Sequence, residues 1–310
     1  MSSKPIKNKA ASVRERLLQQ ARKDKRPFDE LLQYAAMDRF LYRWSNSRSA
    51  NHFVLKGALM LRVWDVSEQR ATRDIDMLAK DTSNDLESIT AIVQEVMAVE
   101  IEQDGFIFST ETVKVERITE DADYQGVRVK FTGKLDNARI SMQIDIGFGD
   151  IVYPAPTKHR LPAMLDFPPA ELLCYSRESA IAEKLQALVY LGDANSRMKD
   201  FYDIYFLSRA SDFTAGDLAN AIQLTFKNRE TEIPAAIGSF RKEFITLKQL
   251  QWQAFRKKLD QEYIPESFEE VVTSIDKFIM PVIGLILAGD KPHYTWTAPG
   301  PWVANEEIRN

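Results

Sequence analysis

The spacing of apolar residues changes near residue 155, and this change limits the folds open to the chain. Before it, three segments alternate polar and apolar residues with the period of β-strands: VKVERITE, GVRVKFTG and ARISMQIDIGFGD. Five prolines between residues 154 and 169 predict a linker or an extended crossing segment. From residue 176 onward nearly every segment has helical spacing. The pattern predicts an α+β fold, with a mixed sheet followed by an α-helical C-terminal part.

The chain has 310 residues, which is enough for more than one domain. We expect N-terminal helices over residues 1–48 that pack on a core domain of residues 49–155. Residues 156–310 are expected to form a helical C-terminal domain that contributes a lysine and aspartates to the site. Within the core, Asp136-Asn137 predicts a hairpin turn, and residues 84–100 read as an amphipathic helix.

Composition narrows the function classes. The single cysteine, Cys174, cannot form an internal disulfide. The basic N-terminus has no apolar stretch typical of a secretory signal, and the apolar run at residues 278–288 is shorter than the roughly 20 residues of a membrane span. These features predict a cytoplasmic protein without a membrane partner. The net charge of −4 does not exclude nucleic acid, because the local charge on one face decides such binding.

Asp74 and Asp76 are the strongest indication of chemistry. On a strand they point to the same face, where two carboxylates repel each other. Such a pair is typical of a site for a divalent cation, and Mg²⁺ is commonly held by one or two carboxylates together with substrate phosphates. An exposed edge strand with two acids is the alternative, because Asp-x-Asp alone is a weak signal.

The segment before the acid pair supports a phosphate site. Lys56-Gly57-Ala58 predicts a small-residue turn between a strand and a helix, where backbone N–H groups can approach phosphate oxygens. Arg70 and Thr72, just before the acid pair, are further candidates for nucleotide binding. An ordinary turn with a surface arginine is the alternative.

Asp145 is a candidate third metal ligand. It lies between Ile144 and Ile146 in a strand-like segment, and an unpaired acid among apolar neighbours is costly if it is buried. A third carboxylate beside two metal ions would explain it. A solvent-facing position on a half-buried strand explains it equally well.

The helical half contains a second group of charged residues. Lys184 lies in the mostly apolar segment AIAEKLQAL, where it could extend its ammonium group to solvent or contact a triphosphate. Asp200 and Asp203 share one helix face, and Arg197 precedes Asp200 by three residues. Taken singly, each of these residues is more typical of a surface ion pair than of a site.

Four segments together resemble one protein family: FVLKGALMLRVW, RATRDIDM, ESAIAEKLQAL and RMKDFYDIYFL. In this order and spacing, over roughly residues 50–210, the chain resembles the AbiEii/AbiGii nucleotidyltransferase toxins. The resemblance implies a polymerase-β-like nucleotidyltransferase core with a helical C-terminal part. It also implies the toxin of a bacterial toxin–antitoxin system that acts in abortive infection, a form of phage defence.

The resemblance assigns roles to individual positions. Gly57 and Ala58 would form the phosphate turn, and Asp74 and Asp76 would bind the metal. Lys184 would contact the nucleotide phosphates. The further catalytic acid would be Asp200 or Asp203. The family commonly has Gly-Gly or Gly-Ser where this chain has Gly57-Ala58, so phosphate contact would depend on backbone N–H groups or on Thr72.

The implied reaction is the transfer of a nucleotide from an NTP to the 3′ acceptor end of tRNA, with Mg²⁺ or Mn²⁺ as cofactor. This modification would block aminoacylation and halt translation. An antitoxin encoded next to the gene is the implied protein partner. Three alternatives stay open: transfer to a protein hydroxyl, a non-catalytic nucleotide-binding regulatory module, and a structural helical protein whose acids are solvated.

Overall fold

The computed structural model describes residues 8–64, 71–120, 124–259, 263–290 and 293–305. These residues form two compact units. The first unit contains the described residues up to 64 together with Ala71–Gly149 and Thr157–Cys174. The second contains Asp150–Pro156 and the chain from Tyr175 onward.

The first unit is built on a seven-stranded mixed sheet. Its strands are β1 (Phe53–Lys56), β2 (Asp74–Ala79), β3 (Phe106–Glu120), β4 (Tyr124–Leu135), β5 (Ala138–Phe148), β6 (Thr157–Arg160) and β7 (Glu171–Cys174). Their order across the sheet is β3-β4-β5-β2-β1-β7-β6. The pairs β2–β5 and β1–β7 are parallel, and the other pairs are antiparallel. Strand β2 therefore lies in the interior of the sheet, between β1 and β5.

Helices cover one face of this sheet. They are α1 (Lys9–Asp24), α2 (Phe28–Ser45), α3 (Met60–Val63) and α4 (Leu86–Met97). Phe40 of α2 contacts Phe108 of β3 and Phe131 of β4, with ring centroids 5.3 and 4.9 Å apart. Because side chains alternate along a strand, the opposite face of β2–β5 is left to the polar residues.

The second unit is helical. Its helices are α5 (Arg177–Leu191), α6 (Met198–Ala210), α7 (Ala215–Asn228), α8 (Lys242–Leu259) and α9 (Phe268–Ala288). Three short strands form a small sheet: β8 (Phe213–Thr214), β9 (Tyr294–Trp296) and β10 (Trp302–Ala304). Phe201 of α6 packs edge-on against Phe268 of α9, with centroids 5.0 Å apart, in the core of this unit.

The C-terminal tail packs on this helical unit. The Trp302 ring stacks on Phe278 of α9 at 5.7 Å, and its Nε1 donates to the Phe278 carbonyl oxygen at 2.8 Å. Trp296 Nε1 donates to the Ser208 carbonyl oxygen at 2.6 Å. These contacts fix residues 293–305 against α6 and α9.

Helix α9, Phe268–Ala288, is long and apolar enough to cross a membrane when judged by length and composition alone. In the structure its Val271, Ile275, Phe278 and Ile279 are buried. One face of α9 is therefore part of the core of the second unit.

The predicted fold class is confirmed, since a mixed sheet precedes a helical C-terminal part. The hairpin turn at Asp136-Asn137 joins β4 to β5, and Asp136 adopts a φ of 52°. The helix expected at residues 84–100 is α4, which Asp85 caps by accepting a hydrogen bond from Ser88 N. The proline-rich span includes β6, and β7 follows directly after it; both strands belong to the first unit. The domain boundaries at residues 48 and 155 stay a prediction.

Candidate active site

Gly57 forms a tight turn directly after β1. Its φ of +72° is a left-handed conformation that side chains other than hydrogen disfavour. A Cβ at this position would lie 1.9 Å from Asp76 Oδ2. The backbone of the turn is therefore in direct contact with the Asp76 carboxylate, and only glycine permits this approach.

Asp74 and Asp76 lie on the same face of β2. Both side chains are half-buried, while Ile75 and Met77 between and after them are fully buried on the helix-covered face. Lys56 of β1 is the cross-strand neighbour of Asp76. A lysine beside the pair reduces the repulsion between the two carboxylates.

The segment before β2 is anchored to α2. The Thr72 backbone N–H donates to the Tyr34 hydroxyl at 3.1 Å, and the Thr72 Oγ1 lies 3.4 Å from both Asp74 N and Asp74 O. Thr72 therefore sets the start of the strand that carries the acid pair. Arg70, the other candidate of this segment, lies outside the described residues.

Asp145 is the parallel neighbour of Asp76 on β5. Both of its carboxylate oxygens accept hydrogen bonds from Arg128 of β4, at Nε–Oδ1 and Nη2–Oδ2 distances of 2.8 Å. The hydrogen bond to Asp145 is the largest cause that raises the pKa of Arg128, and the charge of Asp74 adds to it. Arg128 thus places a positive charge beside the acid face.

The site has oxygen ligands of the kind that a divalent cation needs. Asp74 and Asp76 offer carboxylate oxygens on one face, which fits Mg²⁺ bound through one or two carboxylates and substrate phosphates. Within the described residues no group of three or more His, Cys, Asp or Glu side chains is arranged to hold a metal ion. Asp145 forms an ion pair with Arg128 in this structure, and its role as third ligand stays a prediction.

The second unit gathers the other predicted residues around Lys184. Its Nζ lies 2.9 Å from Asp203 Oδ2 and 3.8 Å from Asp200 Oδ1. Lys184 is on α5, and both aspartates are on α6. The side chain of Lys184 is 17% exposed, whereas those of Asp200 and Asp203 are at most 1% exposed. The spacing KDFYD therefore brings two buried carboxylates to one ammonium group.

Asp200 has a second cation beside it. Arg197 Nε lies 2.6 Å from Asp200 Oδ2, although no N–H of the described residues points at either oxygen in hydrogen-bond geometry. The carboxylate is thus compensated by charge rather than by directed hydrogen bonds. A buried carboxylate in this state is costly for stability, as is common at functional sites.

A further ionic group lies in the second unit. Arg229 contacts Asp150 at 2.9 Å and Glu183 at 3.6 Å. Burial alone would lower the pKa of Arg229, but the charges of Glu183 and Asp150 outweigh it and raise that pKa. Glu183 directly precedes Lys184 on α5, so the ion pair of Glu183 with Arg229 fixes this helix next to the predicted phosphate-binding lysine. Asp150 and Arg229 belong to no local motif, and only the folded chain brings them together.

The fold is a mixed sheet followed by a helical part, and comparison with known families identifies its class as a nucleotidyltransferase. The family model "Nucleotidyl transferase AbiEii toxin, Type IV TA system" matches residues 39–274. The chain belongs to this AbiEii toxin family.

Two solved structures show a distant likeness. The "Crystal structure of putative nucleotidyltransferase from H. pylori" has 13% identity and a TM-score of 0.47, covering 84% of this chain and 97% of that one. The "Crystal structure of JHP933 from Helicobacter pylori" has 14% identity and a TM-score of 0.45, covering 84% of this chain and 92% of that one. No curated protein matches the sequence.

Proposed function

We propose that this AbiEii family member transfers a nucleoside monophosphate from an NTP to the 3′ acceptor end of tRNA, with Mg²⁺ as cofactor. Mn²⁺ is the alternative metal. The modified tRNA cannot be aminoacylated, so translation stops. The transfer is the toxic activity of a cytoplasmic protein in an abortive infection system, and an antitoxin encoded beside it is the expected partner.

The contact between the Gly57 turn and the Asp76 carboxylate is the observation that supports this proposal best. It brings the backbone of the turn after β1 against Asp76, one of the two acids of β2. A triphosphate with a bound cation needs both kinds of group, N–H donors for the phosphate oxygens and carboxylates for the metal.

The proposed reaction is a substitution at the α-phosphorus. The 3′ oxygen of the acceptor forms a bond to the α-phosphorus, and the bond from that phosphorus to the β-phosphate oxygen breaks. Pyrophosphate leaves with the electron pair, and a carboxylate accepts the proton of the attacking hydroxyl. Asp74 and Asp76, with Asp145 as a candidate third ligand, would hold the metal ion, which would supply positive charge to neutralise the phosphates.

The other roles follow the assignments made from the sequence. Lys56, the Gly57-Ala58 backbone, Arg70 and Thr72 are proposed to bind the nucleotide. Lys184 is proposed to bind its phosphates, and Asp200 or Asp203 to act as the further acid. Of these two, Asp203 lies closer to the Lys184 ammonium group, so Asp200 forms the weaker ion pair with Lys184.

The test uses Asp76→Asn, which keeps the size of the side chain and removes its charge. Purified protein is incubated with Mg²⁺, each α-labelled NTP in turn and total bacterial tRNA. We expect label on tRNA with the unsubstituted protein, and a decrease of at least about 100-fold with the variant, which loses one metal ligand. Asp290→Asn is the matched control, because Asp290 is exposed and lies just after α9.

Each other outcome points elsewhere. Label on a protein band instead of tRNA would indicate that the acceptor is a protein hydroxyl. NTP binding without release of pyrophosphate would indicate a regulatory module. Full activity of Asp76→Asn would remove the metal role from the acid pair.

A further inference from the structure

The solvent-facing side of β3, β4 and β5 carries an excess of positive charge. Its cations, here named the basic sheet face, are Lys114, Arg128, Lys130, Lys134 and Arg139. Among the paired positions whose side chains the structure describes, the carboxylates on the same face of these strands are Glu116 and Asp145. The chain as a whole has a net charge of −4, so this surface departs from the average of the molecule.

Strand register places the basic sheet face beside the acid pair. Lys114, Lys130 and Gln143 are successive cross-strand neighbours, and Gln143 is in turn the neighbour of Asp74. All of these side chains therefore point to the face that carries Asp74 and Asp76. Since adjacent strands lie about 4.8 Å apart, the Cα atoms of Lys130 and Lys114 are roughly 10 and 14 Å from that of Asp74.

Most of these cations are available for a ligand. Lys114, Lys134 and Arg139 are exposed, and the ion pairs of the described chain include none of them. Lys130 pairs with Glu116 at 2.7 Å, but its side chain is 50% exposed and so this pair is weak. Arg128, by contrast, is held by Asp145 and serves mainly to keep the positive charge close to the acid pair.

Hydroxyl groups on this face also suit a sugar–phosphate backbone. Ser109, Thr132 and Ser141 supply hydroxyl groups, and Thr132 and Ser141 are direct cross-strand neighbours. Lysines and hydroxyls favour phosphate contacts, which bind nucleic acids without regard to sequence.

We propose that the basic sheet face binds the phosphate backbone of the acceptor nucleic acid, over the few nucleotides that precede the reacting 3′ hydroxyl. The inference rests on the proposed function, because that function puts the 3′ hydroxyl at the acid pair. It adds the surface that holds the acceptor and states that this surface reads charge rather than bases.

The test removes three lysines of this face at once, as Lys114→Gln/Lys130→Gln/Lys134→Gln. The matched control is Lys242→Gln/Lys257→Gln/Lys258→Gln, which removes three exposed lysines of α8. Binding of fluorescently labelled total bacterial tRNA is followed by anisotropy at several salt concentrations. Binding of NTP with Mg²⁺ is measured on the same preparations, without RNA.

We expect the triple variant to bind tRNA on the order of 100-fold more weakly than the control at 0.1 M salt. The slope of log affinity against log salt should fall by about two, because three phosphate contacts to a single strand are lost. NTP binding should stay unchanged in both variants, which shows that the nucleotide site is intact.

A triple variant that keeps the affinity and salt slope of the control would overturn the inference. Loss of tRNA binding by the α8 variant instead would also overturn the inference. So would a triple variant that still binds tRNA but no longer transfers label to a protein acceptor. Failure of the proposed function would give a different experimental result. In that case the unsubstituted protein binds tRNA and NTP but transfers no label to RNA.

Discussion

Gly57 combines two demands that single substitutions can separate. Its φ of +72° disfavours a side chain, and the Asp76 carboxylate occupies the space where a Cβ would be. Gly289 has a similar φ of +68° with nothing within 4 Å of a Cβ, so it shares the first demand and lacks the second. A comparison of substitutions at Gly57 and Gly289 therefore separates the effect of the contact with Asp76 from the effect of the backbone conformation.

We expect Gly57→Ala and Gly289→Ala to cost roughly 1 kcal/mol of stability each through the backbone alone. Gly57→Ala should also displace the Asp76 carboxylate and lower nucleotide transfer by at least about 100-fold, whereas Gly289→Ala should keep full activity. Urea unfolding and the transfer assay measure the two effects. Equal activity of both variants would show that the Gly57 contact has no part in catalysis.

Patterns of neighbouring residues in the sequence predicted part of the candidate site. The Gly57 turn and the shared face of Asp74 and Asp76 depend on neighbouring residues, and short-range patterns describe such features well. The ion pair between Arg128 and Asp145 could not be predicted, because it depends on the register of β4 against β5. An alternating strand pattern indicates which residues share a face but does not identify their cross-strand partners.

The group around Lys184 joins α5 to α6, and its structural and functional roles can be measured separately. Lys184→Met leaves Asp200 and Asp203 buried with one cation fewer, so we expect a loss of about 3 kcal/mol or more in the free energy of unfolding. Adding Asp203→Asn removes one of the two buried negative charges and should restore part of that stability. Transfer activity should stay absent in both variants, because Lys184 is proposed to bind the phosphates.

The control for this experiment is the exposed pair of Arg241 and Asp193, whose side chains are 57% and 70% exposed. Arg241→Met should change stability by less than about 1 kcal/mol. If the double variant at Lys184 and Asp203 regained activity together with stability, the phosphate role of Lys184 would be wrong.

Helix α9 and the tail strand β10 depend on each other through Trp302. Trp302→Ala removes a stacked ring and the hydrogen bond to the Phe278 carbonyl, so we expect a loss of about 2–4 kcal/mol in urea unfolding. Val303→Ala should change little, since Val303 is 59% exposed. A small effect of Trp302→Ala would mean that the tail adds no stability to the helical unit.

The longer elements were predictable because their periodicity extends over many residues. Helices α5, α6 and α7 coincide with the expected helical segments, and the meander β3-β4-β5 follows the alternating segments. Strand β6 lies in the span that was expected only as an extended or linker segment, and β7 was not predicted. Each has four residues, too few for a clear alternation, and the structure forms them through pairing with the sheet.

The reactivity of the Cys174 thiol reports how readily the sheet of the first unit opens. It lies on β7 between β1 and β6, and burial raises the pKa of its thiol to about 12. Since the thiolate is the reactive form, we expect a disulfide reagent at pH 8 to label the native protein at least ~1000-fold more slowly than a free thiol. In urea the labelling should become rapid and complete. Fast labelling of the native protein would show that this part of the sheet opens readily.

The order of the seven strands was the part of the fold that the sequence left open. The parallel pairs β2–β5 and β1–β7 join segments that are far apart along the chain. Such pairs form because helices cover one face of the sheet and each strand has apolar residues for that face. Local patterns identify the strands but contain little information about which distant strand becomes a neighbour.

The parallel pairing of β2 with β5 has a consequence for the synthesis of this toxin. A ribosome releases Asp74 and Asp76 long before it has made Ala138–Phe148, the strand that flanks them on one side. Lys184 and the two aspartates of α6 emerge later still. On the proposed function, we expect the growing polypeptide to be inactive toward tRNA until these segments have been made, and a message truncated before the codon for Ala138 to encode an inactive product.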